Sequence, residues 1–440
     1  MINNKIFKSP VVLILLTLST TLFQGGNNIF ILALFNIILV FFYKFSNTDN
    51  FKNHKLIKFC LCGFLSYLIF QNMPLPNIIG IKLSLQNYEL YKDLYQKKFF
   101  HISLDLENSI RGFMIFSSSF LILLIVPSLI KNRRSLNACL KLILIFSIFQ
   151  SIFGIIIYFF NINNIPFLYK KLYYFESVTG TYINRNNFSF FLIISFIISI
   201  YYLNFYQKYF LPKSLNIYKF LLSDLFLIRL CILIISIAII LTKSRAGNLT
   251  FLIILISIAL HDLIKYKKIT FLNFSIFSIL IIDLIFIGQM VGGDHTLQRF
   301  AATSFEGERS RLEVFQIGLN EFLNFPIFGY GLGGFEIIYA NKYNDSYLFY
   351  DHIHNDIIEY LGELGLIGFL ILFIVIPIVI FKTIFVKDQI SEIKNITLFS
   401  SIALIVHCNL DFSFHIPGNI FYIFLIMGIG LMRQKQNRIT

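Results

Sequence analysis

Tryptophan is absent from this 440-residue chain, and charged residues make up only 14% of it against 57% hydrophobic. That shortage of charge excludes an ordinary soluble fold, which has no use for so much apolar surface; the chain reads as a polytopic membrane protein. Without tryptophan, an aromatic belt at the membrane boundary falls mainly to tyrosine. Cysteine is sparse. Cys60, Cys62, Cys139, Cys231 and Cys408 all sit in or beside apolar runs and none in a long polar loop, so disulfides are not expected. Cys60-Leu61-Cys62 lacks metal-ligand spacing and reads as packing. Internal repeats are not visible, which argues against a transporter built from repeated halves. The net charge of +14 does not indicate nucleic acid, because the lysines and arginines cluster in short loops between apolar runs.

What is present is a set of about twelve apolar runs of roughly 17–25 residues each. They cover 9–24, 28–44, 56–73, 110–130, 136–160, 187–206, 220–242, 246–263, 270–290, 363–386, 394–413 and 416–433. The first, with Lys5 and Lys8 ahead of Val11–Phe23, also has the form of a signal peptide; both readings leave the sidedness downstream unchanged. The connecting loops alternate in character. Lys44/Lys52/Lys55/Lys58, Lys131/Arg133/Arg134, Lys208/Lys213/Lys219, Lys265/Lys267/Lys268 and Lys382/Lys387/Lys394 fall on one side, with both termini. The positive-inside tendency makes that side the cytoplasm. The other side receives the long loops 74–109, 161–186 and 291–362. The expectation is an all-α integral membrane protein, a single polytopic domain over 1–440, with a large periplasmic loop between helices 9 and 10.

The polar cluster Asp351-His352-Ile353-His354-Asn355, followed by Asp356 and Glu359, ends that last loop. A chain this apolar keeps such groups where water or a polar substrate reaches them. His354 is the candidate general base: a neutral imidazole accepts a proton from a hydroxyl, and Asp351, Asp356 or Glu359 is available to orient it. The alternative is a structural histidine capping the next helix. Metal binding by His352 and His354 lacks a third ligand at suitable spacing. Ser310-x-x-Glu313 has the capping-box pattern, with Leu312, Phe315, Leu319 and Phe322 on one helical face before Pro326. An amphipathic helix at the outer boundary follows, with Arg311 in its first turn beside free backbone N–H groups, an arrangement suited to phosphate. Gly329-Tyr-Gly-Leu-Gly-Gly334 has no Lys-Ser/Thr after it and reads as a tight turn, not a P-loop.

Arg245 follows a full apolar span and Arg185 opens one, both on the outside, where anion binding and interfacial anchoring both remain open. Arg229, near the inner end of its span, reads as a snorkelling arginine. Asp105-x-Glu107 is either an acidic metal pair or a solvated loop. Asp411 and His415 read as a helix-end polar network or as support for the site. Asp283 lies deep in an apolar run with no partner apparent from the sequence.

Together these residues resemble the O-antigen ligase family of bacterial membrane proteins, which includes O-antigen ligases, O-antigen polymerases and protein O-oligosaccharyltransferases. The resemblance spans 180–433. It rests on Gly180-Thr-Tyr-Ile-Asn-Arg-Asn-Asn-Phe188, Ser244-Arg-Ala-Gly247, Ser310-Arg311 through Pro326 with Gly329–Phe335, His354-Asn355 followed by Gly365-x-x-Gly368, and His407 through Gly418. The order Ala246-Gly247 departs from the family's Gly-Ala; residues 1–180 carry little family-specific motif.

The resemblance implies a GT-C-type glycosyltransferase fold in the inner membrane. It also implies transfer of a glycan from undecaprenyl pyrophosphate to a hydroxyl of lipid A-core, of another sugar or of a protein, by an inverting reaction without cofactor or metal. Carried over by position, Arg245, Arg311 and Arg185 bind the pyrophosphate and His354 is the base, with Asn355, Asp411 and His415 behind it. A polysaccharide lipid flippase or transporter is the more distant alternative.

Overall fold

In a bilayer every backbone polar group needs an internal partner, which leaves the helix as the default solution for apolar runs of this length. The computed structural model describes residues 6–46, 55–76, 99–165, 169–171, 173–210, 224–267, 306–343, 349–385 and 389–432, and these are overwhelmingly helical. The helices are α1 Pro10–Ser19, α2 Ile29–Phe45, α3 Lys55–Asn72, α4 Leu106–Leu129, α5 Arg133–Phe159, α6 Arg185–Phe210, α7 Asp224–Leu241, α8 Arg245–Tyr266, α9 Glu306–Asn324, α10 Gly334–Lys342, α11 Asp356–Phe385, α12 Ser391–Cys408 and α13 Pro417–Gly430. Two antiparallel ladders of two residues per strand, Leu75–Pro76 with Phe99–Phe100 and Asn164–Ile165 with Tyr169–Lys170, and 3₁₀ turns at Ile6–Lys8, Thr20–Leu22, Gln24–Gly26 and Ser413–His415 complete the described elements.

Every expected span within the described residues coincides with a helix; 270–290, with Asp283, lies outside them. Among the described residues six helices are long and apolar enough to cross a membrane: α4, α5, α6, α7, α8 and α11. α1, α2 and α13 are apolar but shorter.

Start signals are written locally. Asn28 accepts from Phe30 N and Ile31 N, Asp105 from Asn108 N, and Asn132 forms a capping box with Ser135. Asp105 therefore caps α4, which accounts for that acid without a metal. α9 departs from expectation: it begins at Glu306, so Ser310 lies inside the helix instead of capping it, and Arg311 stands in the second turn.

α6 and α13 form the centre. All fourteen residues of α13 are buried, and it packs on α4 and α12; α6 packs on α7, α8 and α12. The outer helices turn large apolar side chains away from the bundle at helical spacing, such as Leu366, Leu370, Ile374 and Phe381 on α11. These faces suit lipid. Helix association there draws on close packing and polar contacts, since lipid tails are as apolar as leucine.

α11 is bent. Gly365, at φ 60° and ψ −179°, interrupts it, and the freed carbonyls find partners on α3. The Tyr67 hydroxyl lies 2.6 Å from Leu364 O, and Gln71 Nε2 donates to Glu363 O at 3.0 Å. The glycine-rich turn lies directly on the bend: a Cβ at Gly329 would sit 2.4 Å from Glu363 O and Gly365 N. Its tight-turn reading holds, with φ near +70 to +86° at Gly329, Gly331 and Gly333.

Candidate active site

The helix starts of α6, α8, α11 and α13 and the end of α12 meet at one end of the bundle. α6, α8 and α11 finish at the opposite end on Lys208, Lys265 and Lys382. His354 precedes α11 with φ +59°, a left-handed conformation that costs a histidine of order 1 kcal/mol and is typical of functional positions. The next residue, Asn355, caps α11 by accepting from Ile357 N and Ile358 N at 3.1 Å, and its amide donates to Asn409 O. The capping role belongs to Asn355, which leaves the imidazole of His354 for other work.

His354 Nδ1 lies 3.4 Å from Asp411 Oδ1. Asp411 is fully buried and accepts further from Phe412 N at 2.8 Å and from Asn186 Nδ2. Burial alone would raise the Asp411 carboxyl; the hydrogen bond with His354 and the charges of His354 and His407 outweigh it and hold it below the usual carboxylate range. Phe412 separates two imidazoles: His352 stacks on its ring at 4.2 Å, and His354 meets it edge-on at 5.0 Å.

Arg185 and Arg245 are each the first residue of a helix, where the helix dipole favours an anion, with Asn186 N and Gly247 N capped by Asn184 and Ser244. Arg185 is within electrostatic reach of Arg245, Arg311 and Asp411. Its guanidinium stands 5.1 Å over the Tyr174 ring and donates to Ser177 Oγ at 3.3 Å. Three arginines from separate parts of the chain thus share one field with the His354–Asp411 pair. The α6–α8 approach depends on Gly247, where a Cβ would fall 2.2 Å from Ser189 Oγ; the order Ala246-Gly247 puts the glycine at that contact.

Across Phe412 lies a second polar group. Asp356, Glu359 and Glu363 are on one face of α11, all at most 1% exposed. His415 Nδ1 pairs with Asp356 Oδ1 at 2.5 Å, and its Nε2 lies 3.1 Å from Glu363 Oε2 and 3.7 Å from Glu359 Oε1. His352 Nδ1 pairs with Glu359 Oε1 at 2.5 Å. The remaining carboxylate oxygens accept from Phe414 N, Ile353 N and Gly333 N. For both histidines burial opposes the charge, but the acids prevail: Glu359 raises His352 above 6.5, and Glu359, Glu363 and Asp356 raise His415 well above it.

A cavity of about 230 Å³ opens beside this cluster, walled by Asn27, Asn108 and Arg111 opposite His352, Glu359 and Glu363. Glu359, Glu363 and His415 have the donor types and proximity for a divalent cation, with ligand atoms within 4.8 Å of one another; those same atoms already pair with each other.

Residues 230–373 match the family model described as O-antigen ligase. That segment belongs to the O-antigen ligase family. No curated protein matches the chain. The matched segment carries Arg245, Arg311 and His354, while Arg185, Asp411 and His415 lie outside it.

Within this O-antigen ligase segment and around it, the structure sorts the expected residues into two groups. Arg185, Arg245, Arg311, His354 and Asp411 come together. His415 joins Asp356, Glu359 and Glu363 on the far side of Phe412. Of the three acids offered as orienters of His354, Asp356 and Glu359 serve His415 and His352 instead, and Asp351 is exposed at the cavity. The acid that does pair with His354 is Asp411, 57 residues downstream, a pairing that no local spacing encodes. Glu363, Asn186 and Tyr174 were not singled out as site residues; the only signal for Asn186 was its place in the Asn-rich start of α6.

Proposed function

We propose that the protein transfers a glycan from undecaprenyl pyrophosphate to an acceptor hydroxyl at the periplasmic face of the inner membrane, in the manner of an O-antigen ligase. The observation that carries this reading is the convergence of Arg185, Arg245 and Arg311 on the His354–Asp411 pair. A pyrophosphate leaving group needs cations in both ground and transition states, and arginine supplies planar paired donors for it. With Asp411 on Nδ1, His354 presents Nε2 to the acceptor. Nε2 takes the hydroxyl proton as the oxygen attacks the anomeric carbon from the face opposite the phosphate. The anomeric carbon–oxygen bond to pyrophosphate breaks, the lipid pyrophosphate leaves against the arginines, and Asp411 stabilises the imidazolium. The sugar carbon inverts, and the residues carry this scheme without metal or cofactor.

The same reading includes twelve spans, both termini cytoplasmic, and a GT-C-type fold. Lipid A-core is the preferred acceptor; polymerisation onto another glycan, or transfer to a protein hydroxyl, uses the same chemistry with a different acceptor. The test is purified protein in lipid nanodiscs with a glycan-charged undecaprenyl pyrophosphate from the native membrane, together with the glycoconjugates of a deletion strain. Transfer in vitro and an acceptor left unmodified in the deletion strain are expected. Absence of transfer, with the deletion strain's glycoconjugates unchanged, sinks the reading.

A further inference from the structure

We infer that Asn186 is a positioning residue: its side-chain amide joins the starts of α6 and α8, the helices that begin with Arg185 and Arg245, to the Asp411–His354 pair and thereby selects which nitrogen of His354 faces the acceptor. The inference rests on the proposed function for its kinetic arm only.

The hydrogen bonds run in one direction. Gly247 N donates to Ser244 Oγ at 2.9 Å, the N-cap bond of α8. The Ser244 hydroxyl has a single proton and donates it to Asn186 Oδ1 at 2.7 Å. That assignment fixes the amide: Oδ1 accepts, so Nδ2 is the atom that donates to Asp411 Oδ2. The backbone is pinned as well, since Asn186 N donates to Asn184 Oδ1 at 2.8 Å and Asn186 O accepts from Ser189 Oγ at 2.6 Å. Ser244 and Asp411 are fully buried and Asn186 nearly so, so water does not compete freely for these groups.

An ionised carboxylate only accepts. With Asn186 on one oxygen and Phe412 N and His354 on the other, the His354 nitrogen facing Asp411 must be the protonated one, and Nε2 carries the lone pair. The charged and titratable groups around Asp411 are His354 and His407, with Arg185 and Tyr174 from the α6 side. Asn186 is the neutral member that holds the carboxylate in place among them. Because Arg185 and Arg245 are the first residues of α6 and α8, the Ser244–Asn186 bond also sets the distance between two donor-binding groups.

The experiment uses the full chain in nanodiscs with ¹⁵N-histidine labelling, the His354 signals being assigned by their loss in His354→Ala. In the wild type, at a pH where the ring is neutral, His354 is expected as the Nδ1–H tautomer. Asn186→Leu keeps the volume but offers Asp411 no donor. It should change the His354 tautomer ratio, because Asp411 loses the donor that holds its Oδ2. Asn186→Ala should lower kcat about 10–100-fold, the usual loss when a group behind a functional side chain is removed. Binding of undecaprenyl pyrophosphate, the probe for the arginines, should weaken less.

Ser244→Ala provides a second route if either Asn186 variant fails to fold. It takes the donor from Asn186 Oδ1, so the amide holds Asp411 less firmly and the His354 tautomer ratio should shift. Wild-type His354 signals in a folded Asn186→Leu or Ser244→Ala protein overturn the inference. Failure of the wild type to bind lipid pyrophosphate or transfer glycan would instead remove the proposed function and leave the tautomer result standing.

Discussion

His354 Nδ1 and Asp411 Oδ1 stand 3.4 Å apart although 57 residues separate them in the chain. The contact is long for a charge-assisted hydrogen bond, and contacts of this kind often tighten only when substrate binds. It separates His354 from His352, two residues away, which pairs with Glu359 on the other side of Phe412.

That separation makes the two histidines distinguishable. His354→Ala should lower turnover by roughly 10²–10⁴-fold and leave lipid pyrophosphate binding largely intact. His352→Ala should be milder in turnover and show mainly as lost stability, because it removes the nearest cationic partner of buried Glu359. Normal turnover in a folded His354→Ala protein would move the base assignment to His415 or His352.

The arginines should behave differently. Arg245→Ala and Arg311→Ala are expected to weaken donor binding and catalysis together, since their charge acts in both ground and transition states. Arg185→Ala should do the same to a smaller degree, its guanidinium being shared with Ser177 and Tyr174. Lysine at Arg245 or Arg311 should restore only part, lacking the planar pair of donors. Equal donor affinity in wild type and Arg245→Ala would contradict the assignment.

Transfer should continue in EDTA if, as proposed, the arginines neutralise the leaving group; Glu359, Glu363 and His415 are engaged with one another. Activity lost in chelator and restored by Mn²⁺ or Zn²⁺ would instead identify those three residues as ligands, and Glu363→Gln should then abolish the restoration.

Stability should depend on pH through the second cluster. His352 and His415 are raised in the folded protein above their ordinary 6.5. A raised histidine contributes its full stability below its unfolded value and loses it as pH rises through the folded one. The melting temperature should therefore fall on the alkaline side of pH 6.5, and His415→Gln should flatten that slope. Asp411, depressed in the folded state, has the opposite sign: its contribution is present above the unfolded value of 3.8 and disappears as pH falls through the folded one. A melting temperature independent of pH from 6.5 to 9 would remove this account of the cluster.

Much of this architecture is determined by the sequence alone. Apolar runs of membrane length force helices because the bilayer offers the backbone no other partner, and α4, α6 and α11 lie where hydropathy puts them. Caps such as Asn28 and Asp105 act on N–H groups two or three residues away, so their meaning is local. His354 and Arg245 are legible because each interrupts an apolar context at a helix boundary, whereas Arg311 is reached through a capping-box pattern that the structure places inside α9. Other features were decided only by the tertiary structure. α11 starts at Asp356, several residues ahead of its expected start near 363, because Asn355 caps it and its first acids find His415 and His352 as partners. The choice of Asp411 over Asp351, Asp356 and Glu359 as the orienter of His354, and the link through Asn186 and Ser244, depend on where separate helices come to rest. Hydrogen bonds between side chains act over about 3 Å, and nothing in the spacing of residues along the chain measures that distance.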